Sequence, residues 1–155
     1  MRIDYLADHP EYVQALAPAI WAHWRDALPE DTTVAHRVAK LHAHMQKAAL
    51  PMALVAHEHG QVFGTAALRL HDLEERNELS PWLGGVFVLP SWRGKGIASA
   101  LCRAVKEHAS AMGIPALYLF TPHQQALYER LGWSTVESAE WRGICGSIML
   151  ANTAA

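Results

Sequence analysis

The stretch Val86–Met112, VFVLPSWRGKGIASALCRAVKEHASAM, decides how this chain is read. It opens on an apolar, β-branched run, Val86-Phe87-Val88-Leu89, which predicts a buried strand. Pro90 has no N–H to give to a ladder, so the strand should stop or splay there. Arg93-Gly94-Lys95-Gly96-Ile97-Ala98 follows, and Ile97, Leu101, Ala104, Val105, His108 and Met112 then recur at helical spacing on one face. The order is strand, glycine loop, helix. Such a junction suits an anion, because the first N–H groups of a helix lack intrahelical partners and sit at the positive end of its dipole. Gly94 and Gly96 let the backbone approach a ligand, and Arg93 and Lys95 add full positive charge, so a pyrophosphate is expected there. A solvated glycine turn is the plainer alternative. Two basic residues between a strand and a helix favour the anion site.

Two familiar phosphate patterns fail. The nucleoside triphosphate loop GxxxxGK[ST] is excluded because Gly96 follows Lys95. The dinucleotide GxGxxG has Ser99 where its last glycine belongs, and Ile114–Phe120, where its acidic ribose partner should lie, contains no acid. The stretch instead resembles the GNAT superfamily of N-acetyltransferases, whose acetyl-CoA motif runs strand, V-x-P, then [QR]-x-x-G-x-[GA], then helix. Val88-Leu89-Pro90 and Arg93-Gly94-Lys95-Gly96-Ile97-Ala98 match it in order. A second segment, Ala126-Leu127-Tyr128-Glu129-Arg130-Leu131-Gly132-Trp133, resembles the family's A-x-x-x-LYxxxG[FW] signature in its second half.

The resemblance implies an α/β (α+β) fold. Its central sheet would be mixed and mostly antiparallel, with about six to seven strands, splayed at the acetyl-CoA site and flanked by about four helices. It implies an acetyl-CoA-dependent N-acetyltransferase that passes the acetyl group to a primary amine of a small molecule by direct attack in a ternary complex. A protein or peptide amine is the competing acceptor, and a CoA-binding module without catalysis is the alternative from another class. By the same resemblance, the backbone from Arg93 through Gly94, Lys95, Gly96 and Ile97 to Ala98 would hold the pyrophosphate. Phe87 and Val88 would pair with the pantetheine arm and offer an N–H to the thioester oxygen. Tyr128 would protonate the departing thiolate. Thr121 stands where the family often has Asn and would supply one cofactor contact, unless its hydroxyl is spent as a cap. Leu83–Leu89 holds no titratable side chain, so either a residue before the strand acts through water, Glu78 first, then Asp72 and His71, or the amine arrives already neutral.

Composition sets the frame. Half of the 155 residues are apolar and six are Trp, which describes a folded chain with a real core, read as one domain over 1–151 with a tail at 152–155. A net charge of −2 provides no general attraction to nucleic acid or anionic membrane. The N-terminus lacks a signal-peptide pattern and no apolar run is long enough to span a bilayer, so a cytoplasmic location is expected. Cys102 falls one residue past the apolar stripe of its helix, a place for a small buried thiol. His42, His44, His57 and His59 lack acid or thiolate partners at ligand spacing, so they are expected to face solvent, with no metal. Many GNAT proteins dimerise, and nothing in the sequence requires or excludes a homodimer.

The remaining elements follow in order. Arg2–Leu6 predicts an edge strand. A helix over Glu11–Ala27 should kink or divide at Pro18, and a second should run Thr33–Ala49 with Val34, Val38, Leu41, Met45 and Ala48 buried. Trp21, His23 and Trp24 would either line an acceptor pocket or anchor the core. Pro51–His57 and Gln61–His71 predict a hairpin turning at Gly60, the second strand with Val62, Gly64, Ala66, Leu68 and Leu70 on one side. Gly84-Gly85, within the strand Trp82–Leu89, signals a bulge or a close approach by a ligand. Ala116–Phe120 is a buried strand, Thr121-Pro122 opens a helix ending at Leu131-Gly132, and strands Ser134–Glu140 and Ile144–Leu150 complete the fold.

Overall fold

The segment Gln61–Arg69 is buried at every position from Val62 to Leu68. A strand with only one apolar face would alternate; this one is covered on both faces, which corrects the one-sided reading. Leu70, placed in that stripe, lies beyond the strand and is 48% exposed. A computed structural model describing residues 1–154 shows what does the covering. Seven strands, β1 (Arg2–Tyr5), β2 (Met52–Glu58), β3 (Gln61–Arg69), β4 (Trp82–Val88), β5 (Ala116–Thr121), β6 (Ser134–Trp141) and β7 (Ile144–Asn152), form one sheet. Their order is β1-β2-β3-β4-β5-β7-β6, antiparallel throughout except between β4 and β5. The mixed, mostly antiparallel sheet is as expected.

Helix α1 (Val13–Trp24) packs Val13, Leu16, Ala17 and Ile20 onto one face of the sheet, against Val55, Val62, Ala67 and Phe87. On the other face, Leu101, Val105 and Ala109 of α3 (Ile97–Ala111) meet Leu54, Phe63, Leu68, Leu117 and Met149. Each fully buried Leu or Val here contributes about 1.5–3 kcal/mol of transfer free energy, so the two helices clamp the centre of the sheet. Cys102 joins the α3 face and is buried, as its position past the stripe suggested. Helix α2 (Val34–Ala43) lies beside α1, and the short α4 (Gln125–Arg130) follows β5.

Several boundaries differ from expectation, each for a local reason. α1 runs through Pro18 as one helix; Pro18 is exposed, so the carbonyl it cannot bond, that of Gln14, faces water. α2 stops at Ala43 rather than Ala49, because the His44 carbonyl accepts the N–H of Ala53 (3.1 Å) at the start of β2 and its ring turns inward. Ala48 is consequently exposed. α4 begins three residues late: Thr121 still pairs with Ser147 as the last residue of β5, and Gln124 rather than Thr121 is the N-cap. The tail is shorter than expected: Asn152 ends β7, and Thr153 is buried with its N–H on the Pro115 carbonyl at 3.0 Å.

The sheet opens at its one parallel junction. β4 and β5 share a single register position, Trp82 with Tyr118, and then diverge. A bulge helps: against β3, the register passes from Phe87 opposite Thr65 to Gly84 opposite Ala67, leaving one extra residue in β4, with Gly85 at φ +58°. Above the bulge β4 is pressed close to β3. A Cβ on Gly64 would sit 2.7 Å from the Phe87 carbonyl oxygen and 3.2 Å from the Val88 Cα, both backbone. Gly64→Ala should therefore destabilise the fold by about 1–3 kcal/mol, read as a lowered urea midpoint with an unchanged slope. An unchanged midpoint would show that β4 gives way at no cost.

Candidate active site

The opening between β4 and β5 leads to a cleft of about 810 Å³ that crosses the sheet. One end is built from the glycine loop and its helix. Gly94 and Gly96 have φ of +77° and +78°, which only glycine adopts without strain, and Gly96 is the N-cap of α3 with no side chain capping it. The first N–H groups of α3 are thus left free for a ligand. Gly94, Gly96, Ile97 and Ala98 line the cleft, with Arg93 and Thr121 beside them.

The strand above the loop offers backbone as well. Leu89 gives its N–H to the Phe63 carbonyl (2.9 Å), so by strand alternation Val88 turns its N–H and C=O away from β3, towards the gap left by β5. Arg93 Nε donates to that Val88 carbonyl at 3.0 Å, and its guanidinium carbon lies 5.6 Å from the Phe87 ring centroid. Arg93 therefore braces strand and loop together. Lys95 turns elsewhere, its ammonium 5.9 Å over the Trp92 ring, and is not part of the cleft wall.

Tyr128 lines the middle of the cleft and is 7% exposed. Burial, with the neighbouring Cys102 thiol, pushes its phenol well above the usual value of 10. Burial also pushes Cys102 up to about 12, against the hydrogen bond it shares with Tyr128. Both groups keep their protons at neutral pH. Thr121 Oγ1 accepts the Gln124 N–H at 3.0 Å, which fixes the side chain and leaves its O–H as a donor.

The expected bases fare differently. Glu78 is not in the cleft wall: it is exposed and ion-paired with Arg76, which also holds Glu137. His71 is exposed and likewise outside the wall. Asp72 does line the cleft, but Arg69 Nη1 grips its Oδ1 at 2.8 Å. That pair explains Gly84-Gly85: a Cβ on Gly84 would lie 2.7 Å from Asp72 Oδ1, and one on Gly85 2.6 Å from Arg69 Nη2. The close approach is made by the chain's own side chains.

His23 and Trp24, at the end of α1, line the opposite end of the cleft, while Trp21 instead bonds the Thr32 carbonyl through its indole N–H at 2.9 Å. The His23 ring stands edge-on to Phe87 at 5.6 Å, and Trp24 edge-on to Trp141 at 5.7 Å. Burial, then Arg93, holds His23 below the usual histidine value of 6.5, so it is neutral at pH 7. Arg37, Lys40 and His44, at helical spacing on one face of α2, complete this end. The sequence carries that spacing as a polar stripe at positions 37, 40 and 44. The solvent-facing expectation also fails for His44 and His57, which are 5% and 3% exposed. His57 bonds Asp4 Oδ2 at 2.7 Å and the Tyr12 hydroxyl at 3.0 Å; with His9 they form a polar knot outside the cleft wall.

Arginine only donates, so the 2.8 Å contact from Arg69 Nε makes His44 Nε2 an acceptor, leaving Nδ1–H to bond the Lys40 carbonyl at 2.6 Å. Burial, then Arg69, pulls His44 down to about 4.

The sequence profile of the acetyltransferase (GNAT) domain family matches residues 51–135, more than half of the chain. No curated protein sequence matches it. Among solved structures, the chain is similar to an aminoglycoside 6'-N-acetyltransferase complexed with coenzyme A, with a TM-score of 0.77, 15% identity and coverage of 100% of this chain and 98% of that one. It is similar to a ribosomal-protein-alanine N-acetyltransferase from Brucella melitensis, with a TM-score of 0.76, 20% identity and coverage of 98% and 99%. A protein from Salmonella typhimurium, solved with its cofactor acetyl-CoA, gives a TM-score of 0.72, 18% identity and coverage of 100% and 95%. At these identities the likeness is one of fold. Among the described residues, no helix is long and apolar enough to cross a membrane.

The His44 network carries a stability prediction. A histidine near 4 when folded and near 6.5 when unfolded stabilises the fold fully above pH 6.5 and loses that contribution as pH falls towards 4, roughly 3 kcal/mol in all. Urea denaturation at pH 7 and pH 4.5 should show wild type losing more stability than His44→Gln, which has no such proton to take up. Parallel losses would remove His44 as the source.

Proposed function

The chain belongs to the GNAT family of acetyltransferases, whose acetyl donor is acetyl-CoA, and on that premise we propose that it acetylates a primary amine of a small molecule by direct attack in a ternary complex. The observation that carries this is the gap between β4 and β5 with an uncapped helix N-terminus beneath it. An extended, amide-rich arm fits the open edge of β4 as an added strand would, and a pyrophosphate fits the free N–H groups of α3. Arg93, Gly94, Gly96, Ile97 and Ala98 form that seat. Lys95 contributes backbone there rather than its ammonium, and Thr121 contributes the O–H that its local turn leaves free.

The acetyl group then lies at Phe87-Val88. The Val88 N–H, facing the gap, is the donor to the thioester oxygen, where negative charge grows as the amine attacks. Arg93 on the Val88 carbonyl fixes the next peptide plane, Val88–Leu89, and so steadies the strand on the far side of the same Cα. His23 supplies the proton acceptor that β4 lacks: it is neutral at pH 7, borders the Phe87 ring, and its ring nitrogens bond no protein group among the described residues. The amine nitrogen bonds the carbonyl carbon as its N–H proton passes to His23. The C–S bond then breaks and the thiolate leaves with the electron pair. Tyr128 gives it a proton. A phenol above its usual range is a weak acid for an ordinary thiolate near 8.5. The same burial that raises Cys102 to about 12 also raises a thiolate held beside it, which narrows the gap.

Calorimetric titration with acetyl-CoA tests the seat. Wild type should bind, and Gly96→Asp should weaken binding by about tenfold or more, because its carboxylate competes for the free N–H groups. Circular dichroism should meanwhile show α3 intact. Arg93→Ala should lower both affinity and turnover. No binding by wild type would end this reading.

The proton relay is tested by thiol release with an amine panel. Tyr128→Phe should lower kcat by about a hundredfold at unchanged acetyl-CoA affinity, with no alkaline fall in wild-type kcat up to about pH 10, since the phenol stays protonated. His23→Gln should lower kcat and abolish the acid limb of the profile, which should lie below pH 6.5. Unchanged turnover in either variant would remove that residue from the chemistry.

A further inference from the structure

The end of the cleft beyond Phe87 carries a charge pattern that the transfer chemistry does not use. Arg37 and Lys40 project from α2 into the cleft wall, and Arg69 stands behind them on β3. Asp72, the one carboxylate in the wall of this cleft, is committed to Arg69 at 2.8 Å; on their other side Arg37 and Lys40 also border the outer hollow lined by Asp31, Glu74, Glu75 and Glu140. Among the described residues, neither Arg37 nor Lys40 forms an ion pair. Two like charges three residues apart on one helix face repel each other, and Arg69 adds to the repulsion. Nothing in the folding of α2 requires them together. Lys40 is exposed at the mouth of this end, and desolvation, then Arg69 and Arg37, lowers its ammonium to about 8, against Asp72 and Glu74. Trp24 and Trp141 give the same end an apolar side.

We propose that this end of the cleft is a docking site for an anionic group, a carboxylate or a phosphate, on the acceptor amine, held between Arg37 and Lys40. The proposal deepens the acetyltransferase reading and rests on it. The planar guanidinium of Arg37 offers two parallel donors to such a group, and Lys40 a point charge. The amine then projects towards His23 and Val88 while its apolar part lies against Trp24 and Trp141. Polycationic amines are disfavoured at this end, because its one carboxylate is already paired. They would have to stay in the adjoining outer hollow, whose lining adds Asp31, Glu74, Glu75 and Glu140 to the Arg37 and Lys40 that it shares with the cleft.

Acceptors that differ by one anion test this with acetyl-CoA and thiol-release kinetics: phenylalanine against 2-phenylethylamine, and phosphoethanolamine against ethanolamine, with kanamycin as the polycation. The anionic member of at least one pair should have a kcat/KM between about tenfold and a hundredfold higher; which pair responds separates carboxylate from phosphate. Arg37→Ala and Lys40→Ala should each erase that preference by raising KM for the anionic member. They should leave its anion-free partner and the acetyl-CoA affinity as in wild type. A best acceptor that is anion-free or polycationic, or variants that lose both members of a pair alike, overturns the docking site. The side-chain N–H resonances of Arg37 give a readout without acetyl-CoA. They should shift with phenylalanine or phosphoethanolamine and not with 2-phenylethylamine or ethanolamine, and no difference overturns the site even if acetyl-CoA itself fails to bind. That last failure, seen by calorimetry, would count against the acetyltransferase reading instead.

Discussion

The divergence of β4 from β5 is the constraint on which the rest of the structure depends. A parallel pair in mid-sheet would normally bury its ladder; here the ladder lasts for one register position. What holds β4 away is its tight hold on β3. Gly64 brings the two backbones into contact above the bulge, and the Arg69–Asp72 pair fills the space over Gly84 and Gly85 below it. Below the sheet, α3 keeps β4 anchored through Leu83 and Val88. With one edge of β4 satisfied and its faces buried, the other edge keeps polar groups for a partner from outside the chain.

The parts of this arrangement that are backbone were legible in the sequence. Strand, Pro90, glycines and helical period name a loop whose geometry needs few particular side chains, and Gly94 and Gly96 take the left-handed conformations that such a loop demands. The seven strands could be found because turn residues and apolar runs bound them. Both-sided burial of β3 was harder. An alternation of small and large residues looks like one apolar face, while Thr65 hides its hydroxyl on the Leu54 carbonyl at 2.8 Å and so passes for polar.

Side-chain placement was less legible, because it depends on contacts far apart in sequence. Glu78 was chosen for lying near the strand in the chain, and its partner turned out to be Arg76 at the surface. Gly84-Gly85 signals a bulge or a close approach by a ligand; the bulge is there, and the sequence offers no way to tell a ligand from Arg69, fifteen residues before Gly84. His44 has no acid or thiolate partner at ligand spacing in the sequence, which points it to solvent. Its real place follows from the chain turning into β2, which the period of α2 does not announce. Arg37, Lys40 and His44 are the exception: their spacing of three and four was on the page and would have marked a polar face.

The two ends of the cleft therefore differ in kind. The loop end is made of peptide groups, whose positions are set by glycine conformations and one helix terminus, and it tolerates change in most of its side chains. The far end is made of side chains from α1, α2, β3 and the β6–β7 turn region, brought together by packing on the sheet. A shared donor needs a constant seat, and acceptors differ, so a fold that assigns backbone to one and side chains to the other can change acceptor without disturbing the donor. Arg69 is where the two meet. Its guanidinium orders His44 on one side and Asp72 on the other, and it lies against the bulge that opens β4. Through Arg69 the charged end of the cleft is thus packed against β4 itself.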